Sequence, residues 1–414
     1  MLALEDLPQR VLGSRLYQPM KILERSPLTC SALGLGAGLV AACHELPARD
    51  APWTDAVGGS RESLVYSADP SFSVSKDDLQ HHVEYLAQEH RGHGSGFLEA
   101  AQEYCLWRLE LAGYEVRFEP VKDVPKPSPY PQGDPERVLG RNVVGVRPGT
   151  TRSNEHVVLA AHIDSVPECN GADDNATGVA AVLEAARVLA QTDHARTLVA
   201  ICLDGEEGDH ERYAPEQSEY WGLLGSWSYA YAAQQASRDI RAAFVLDMVG
   251  YTNTEPNSQV LPEVPFEPDP VRCPETYFAC LFPDAYREFV DNQRAADFIT
   301  FLYDAPQELE GTLGSDPYVH AMRYSAPFMG LKTIALPMQR ALLPFLTDAL
   351  RSDHAPFWNY GYPAVLITDS GNFRNPRYHC EGGADDPSSL DYDFALRVTE
   401  ATIQGVTEAL DQQP

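Results

Sequence analysis

The chain has 414 residues, 44% hydrophobic and 22% charged, which suits a folded, core-burying protein and not a disordered one. Sixty acidic residues against thirty-one basic ones give a net charge of −29, and with no basic cluster this excludes nucleic acid and anionic lipid headgroups as partners. No apolar run of about 18 residues occurs in the body of the chain, which excludes a polytopic membrane protein. Taken from the start, residues 26–42 are uncharged, small and apolar, preceded by Lys21 and Arg25 and followed by Cys43. That length suits the core of an export signal and is too short for a comfortable membrane span. Residues 44–75 are polar and rich in Pro, Gly, Ser and Asp, and read as a tether.

From Lys76 the pattern turns helical, with Leu79, Val83, Tyr85 and Leu86 apolar, and a second helix is expected over 97–112, closed by Gly113. Strands are expected at 114–118, 142–146, 156–161, 197–203, 243–248 and 364–367, with an Ala/Leu/Val-rich helix over 177–191. Strands alternating with helices predict an α/β fold: a mixed, mostly parallel central sheet with helices on both faces. In such sheets chemistry lies beyond the carboxyl ends of the strands. Residues 253–340 carry many Pro and aromatic residues and read as insertions that wall a pocket.

Each candidate ligand falls at an expected strand end or in a turn after one. The run 156–161 leads into His162-Ile163-Asp164, and Gly171-Ala172-Asp173-Asp174-Asn175-Ala176-Thr177-Gly178 then opens a helix. Glu206-Glu207 follows the next strand and Asp247 the one after. Ser352-Asp353-His354 and Tyr378-His379 come late in the chain. One such residue at a strand end is unremarkable. Two His and four or more carboxylates recurring there would leave costly unpaired charges, and a divalent metal removes that cost. Within the Gly171–Gly178 motif, either Asp173 or Asp174 can be the ligand, and the other suits a helix cap.

These motifs (H-x-D, G-A-D-D-N-x-T-G, E-E, D-M-x-G, S-D-H-x-P-F and Y-H) resemble, in order, those of the M28 family of dizinc exopeptidases of the bacterial aminopeptidase type. The resemblance covers roughly residues 76–410. It implies the zinc exopeptidase, phosphorylase/hydrolase-like fold, with His162, Asp174 and Asp247 on one Zn²⁺ and Asp174, Glu207 and His379 on the other. Asp174 would bridge the pair, preceding a cis peptide bond to Asn175. Glu206 would be the general base toward a water shared by the two metals, pointing away from Glu207 because neighbours in an extended segment alternate. Asp164 would orient His162 through its other ring nitrogen. Asp353 and His354 would line the pocket, and Tyr378 would either stabilise an oxyanion or simply pack. His194, His210 and His320 lack a motif context and are expected on the surface or in the core.

The implied activity is hydrolysis of N-terminal residues from peptide substrates. Glutaminyl cyclases share the fold and several motifs but keep one zinc and lack the His162-type ligand, so His162 argues for two metals and hydrolysis. A non-catalytic binding ectodomain would have lost Glu206 or a ligand, and none is missing. One departure is the stretch 208–220, which separates Glu206-Glu207 from Trp221-Gly222-Leu223-Leu224-Gly225-Ser226 and bears on substrate preference.

The start of the chain, Leu39-Val40-Ala41-Ala42-Cys43, resembles a bacterial lipoprotein signal, with Cys43 as the lipidated residue and membrane contact only through that anchor. Met20 would make a natural start, leaving 1–19 as an upstream extension, so that 1–43 is signal, 44–75 tether and 76–414 the peptidase domain. An exported chain meets an oxidising compartment in which disulfides persist. Of the six later cysteines, Cys273 and Cys280 bracket a short loop and are expected to pair. The rest are scattered with no C-x-x-C pair, which argues against a structural zinc knuckle.

Overall fold

The structure is a computed structural model that describes residues 73–127, 132–207, 222–262, 276–304, 314–339 and 346–412. The export-signal segment with Cys43, most of the tether, the stretch 208–221 with His210, and Cys273 lie outside the described residues.

Helix α1 (Lys76–Leu86) starts where Ser75 Oγ accepts the Asp78 N–H, and Asp77 and Asp78 in its first turn suit the positive end of the helix dipole. Helix α2 (Gly96–Leu111) is capped in the same way by Ser95 and ends before Gly113, whose φ of 87° needs a residue without Cβ. Three strands follow: β1 (Glu115–Lys122), β2 (Val138–Arg147) and β3 (Arg152–His162). Next come α3 (Gly178–Leu189), β4 (Arg196–Leu203), α4 (Leu224–Gln235), β5 (Asp239–Leu246), α5 (Tyr277–Leu281) and α6 (Pro283–Asp291). The chain continues through β6 (Phe298–Asp304), α7 (Asp316–Ser325), β7 (Lys332–Met338), α8 (His354–Asn359), β8 (Ala364–Thr368) and α9 (Tyr392–Asp411).

The eight strands form one sheet in the order β1-β2-β4-β3-β5-β8-β6-β7. β4, β3, β5 and β8 run parallel at its centre; at one side β2 meets β4 antiparallel and β1 is antiparallel to β2, and at the other β6, parallel to β7, meets β8 antiparallel. The central strands are nearly continuous runs of small and branched apolar residues because both their faces are covered. Alternation along β3 shows this. Val157, Leu159 and Ala161 join a core with α1, α2, α3, α7 and α9, whereas Val158 and Ala160 join a second core with α4, α6 and α8.

The expectation that 253–340 holds only insertions is corrected: β6 and β7 of this region belong to the central sheet, and β6 pairs with β8. Their alternating Ile, Phe and Leu residues are strand-like, but the prolines and aromatics around them masked the period. Two further bridges join cysteines for which no pairing was expected. Cys105 pairs with Cys202, joining α2 to β4, and Cys169 pairs with Cys380. Both bridges span residues far apart in sequence, beyond the reach of spacing arguments. Cys280 is also disulfide-bonded.

Candidate metal centre

Because β4, β3, β5 and β8 are parallel, their carboxyl ends share one edge of the sheet. His162 is the last residue of β3, in register with Leu203 of β4, which is followed at once by 204–207. Asp247 follows β5 directly, its N–H bonded to Ile367 O of β8 at 3.0 Å.

Asp174 is delivered by a short turn, 172–177, where the backbone leaves helical angles at Asp174 and Asn175 and the peptide between them is cis. Gly171 enters this turn at φ 59°, and a Cβ there would collide with Asp174 O and Ser165 Cβ. The Asn175 side chain locks the turn onto the end of β5. Its Nδ2 donates to Leu246 O at 2.9 Å and its Oδ1 accepts the Met248 N–H at 3.1 Å, so it grips both sides of Asp247. The Asp385 carboxylate accepts the N–H groups of Asp173 and Asp174 at 2.9–3.0 Å. Asp173 is not a helix cap: it accepts from Gly250 N at 3.0 Å and Asn375 Nδ2 at 2.8 Å.

The donors converge. His162 Nε2 lies 3.3 Å from Asp174 Oδ1 and 3.4 Å from Asp247 Oδ1. His379 Nε2 lies 3.6 Å from Asp174 Oδ2 and 3.2 Å from Glu207 Oε2. The two oxygens of Asp174 thus face two different imidazoles. His162 with Asp174 and Asp247, and Asp174 with Glu207 and His379, each offer ligand atoms within 4.8 Å of one another, as do His162, Glu206 and Glu207. His379 sits at a φ of 52°, and the next residue, Cys380, is bridged to Cys169 just ahead of the Asp174 turn.

Behind the cluster, the Asp164 carboxylate accepts the N–H groups of Glu206 and Glu207 at 3.1 Å each, fixing the acidic pair. His162 Nδ1 lies 3.2 Å from Asp164 O and 3.6 Å from its carboxylate, so the main-chain oxygen is the nearer acceptor. Arg91, fully buried, donates to Ile163 O, Leu86 O, Asn170 O and Gly171 O at 2.6–2.8 Å, tying the segment after His162 to the segment before Asp174. Asp353 and His354 are buried nearby, outside these donor groups. Ser226 Oγ donates to Asp353 Oδ1 at 2.5 Å, and His354 Nε2 approaches Ala349 O at 2.9 Å. Tyr378 stacks on His379 with ring centroids 3.7 Å apart and accepts from Arg351. His194, nearly buried, lies 2.8 Å from Asp411, and His320 is exposed.

Charge is unbalanced here. Burial, reinforced by Glu207, Asp247 and Asp353 and opposed by His162, pushes the Glu206 carboxyl well above its ordinary range. Burial and Glu207 raise Asp174 to about 6, and burial raises Asp353 to about 7. Burial alone would lower His162, but Glu206 and the carboxylates of Asp164, Asp174 and Asp247 drive it well up. His354, buried without such neighbours in contact, falls to about 4.

A buried set of carboxylates and two imidazoles of this kind fits divalent cations, which supply the positive charge it lacks. His379 Nε2 itself is buried without a hydrogen-bond partner, as an atom aimed at a cation would be. A cavity of about 210 Å³ opens onto Asp174, Glu206 and Asp247 and runs inward past Phe282, Phe298, Leu302, Ile334 and Leu366.

Fold and site together define a class: α/β proteins whose sheet presents an acid–imidazole cluster suited to metal ions beyond its carboxyl edge. Residues 142–268 match the model of peptidase family M28, and through them the chain is related to that family. A leucine aminopeptidase 1 of Grosmannia clavigera is 30% identical over 187 residues, 43% of this chain and 42% of that protein. The chain spans less than two thirds of the curated relatives it matches. An aminopeptidase from Aneurinibacillus sp. strain AM-1 shares the fold at TM-score 0.53 and 15% identity, covering 83% of this chain and 97% of that one. A glutaminyl cyclase of Porphyromonas gingivalis does so at TM-score 0.51 and 19% identity, covering 81% and 98%.

The side-chain role of Asn175, and Asp385, Arg91 and Arg351 altogether, were not singled out from the sequence. Asn175 lies inside the motif, where a side chain that pins one strand end to another was the available signal. The other three sit in segments with no motif of their own.

Proposed function

We propose that the protein is a zinc-dependent exopeptidase, an aminopeptidase acting on peptides, exported from the cytoplasm. The observation that carries this reading is Asp174, whose two carboxylate oxygens each face a separate imidazole with further acids beside it. His162, Asp174 and Asp247 would hold one zinc, and Asp174, Glu207 and His379 the other. Bound there, zinc supplies Lewis acidity toward a scissile carbonyl and toward water. Glu206 lies within reach of the same donor group and lines the cavity, where its carboxyl can accept a proton and return it to the departing amine. Its burial and acidic neighbours raise its proton affinity above that of an ordinary carboxylate. The apolar inner wall of the cavity suits an apolar side chain at the scissile residue. Two long-range disulfides and the signal-like segment at residues 26–43 support export.

The cyclase-like reading is favoured by the fold shared with the Porphyromonas gingivalis protein, and opposed by the complete donor set around His162. A panel of aminoacyl-nitroanilides and amino-blocked dipeptides, assayed with and without chelator, decides between them. Free-amine substrates should be cut, blocked ones spared, and chelator should abolish the activity until zinc is restored. Cyclisation of N-terminal glutamine without any peptide-bond cleavage would overturn the proposal.

A further inference from the structure

Arg351 is the sole cation among the described residues lining the cavity, whose other charged members are Asp174, Glu206, Asp247 and Asp348. Its side chain is 44% exposed. Nη1 donates to Asp348 Oδ1 at 3.3 Å and to Asn372 Oδ1 at 3.1 Å, and Nη2 donates to the Tyr378 hydroxyl at 2.9 Å. The Asp348 contact is solvent-exposed and weak. A guanidinium carries five N–H groups in a rigid planar fork. Here the Nε–H and the second Nη2–H bond to none of the described residues, and that edge is one on which a carboxylate docks with two parallel bonds. Tyr378 stacks on His379, so the open edge stands one aromatic ring from the metal cluster.

An anionic substrate approaching this cavity meets a protein of net charge −29 and four lining carboxylates. A guanidinium held at its other end and left open on this edge is preorganised to offset that repulsion locally. We propose that the Nε/Nη2 edge of Arg351 is a carboxylate subsite for the substrate. It takes either the free α-carboxylate of a short peptide or an acidic side chain next to the scissile bond. The inference rests on the peptidase reading above and names the substrate class for it: small anionic peptides.

The test compares kcat/KM of the full chain for dipeptides against their C-terminal amides, and for peptides with Glu against Gln beside the scissile bond. Wild type, Arg351→Gln, Arg351→Lys and Tyr378→Phe are each measured. Wild type should favour the charged member of at least one pair by about tenfold or more, mainly through KM, as a charge-assisted paired bond implies. The pair that shows the preference identifies the source of the carboxylate. Arg351→Gln should erase that ratio and Arg351→Lys should retain part of it, while Tyr378→Phe slows both members alike and preserves it.

If wild type treats charged and neutral members equally, or if Arg351→Gln slows both by one factor and leaves the ratio intact, the subsite is overturned. Arg351 then only positions Tyr378. If wild type cleaves none of these peptides, the peptidase reading itself has failed, an outcome recognisable by the absence of any turnover.

Discussion

Glu206 and Glu207 are neighbours with different surroundings. Both backbone N–H groups rest on Asp164, yet only Glu207 comes close to His379, while Glu206 opens to the cavity beside His162. The proposal therefore predicts a separation of metal binding from turnover. Glu206→Gln should lower kcat by about 10²–10⁴-fold, the usual worth of a positioned general base, with zinc content unchanged by elemental analysis. Loss of zinc together with activity would instead make Glu206 a ligand. Asp164 shows how little of such a role is visible in a motif. The resemblance implies that Asp164 orients the His162 ring; in the folded chain its carboxylate lies 3.6 Å from His162 Nδ1 and also holds two backbone N–H groups beyond the end of another strand.

At the scale of elements, helices α1 and α3 meet through one buried acid. Glu184 accepts from Arg187 at 2.8–2.9 Å and from the Ser75 N–H at 3.0 Å, and lies 3.8 Å from His82. Burial alone would raise its pKa, but the hydrogen bonds from Arg187 and Ser75, with His82 close by, outweigh it and bring the carboxyl down to about 2 from an ordinary 4.5. A pKa depressed on folding contributes stability above the unfolded value. That contribution should fade as pH falls from near 4.5 toward 2. Urea unfolding of wild type and Glu184→Gln from pH 7 to pH 2.5 checks this, and the difference in stability between them should shrink as pH drops. A gap that stays constant would show that Glu184 acts through packing alone.

At the scale of the whole molecule, the candidate metal centre is assembled from segments spread from His162 to His379, and one covalent bond outside the sheet ties two of them together. Cys169–Cys380 joins the approach to Asp174 to the residue after His379, closing 211 residues of chain. Replacing both cysteines with serine should cost about 2–5 kcal/mol of stability, in line with the loss of a native disulfide. Competition with a coloured chelator should also show weaker zinc retention, because His379 loses its tether. The matched Cys105→Ser/Cys202→Ser pair ties α2 to β4, where the sheet's own ladder already holds Cys202 opposite Ala161, and should lower stability with zinc retention unchanged. Equal zinc loss in both would show a general loosening of the fold.

The sequence alone carried the alternation of strands and helices, since apolar runs such as 156–161 and 197–203 are set by burial on both faces. It also carried the cluster residues, since acids and imidazoles at strand ends are a local pattern. Strands β6 and β7 were hidden, because prolines and aromatics broke the period around them, and their place in the sheet depends on a pairing with β8 distant in the chain. The disulfide partners, the Asp385 and Arg91 contacts behind Asp174, and the open edge of Arg351 were decided only by the tertiary structure. Each is a relation between residues far apart in sequence, and no local rule of spacing or propensity acts over that separation.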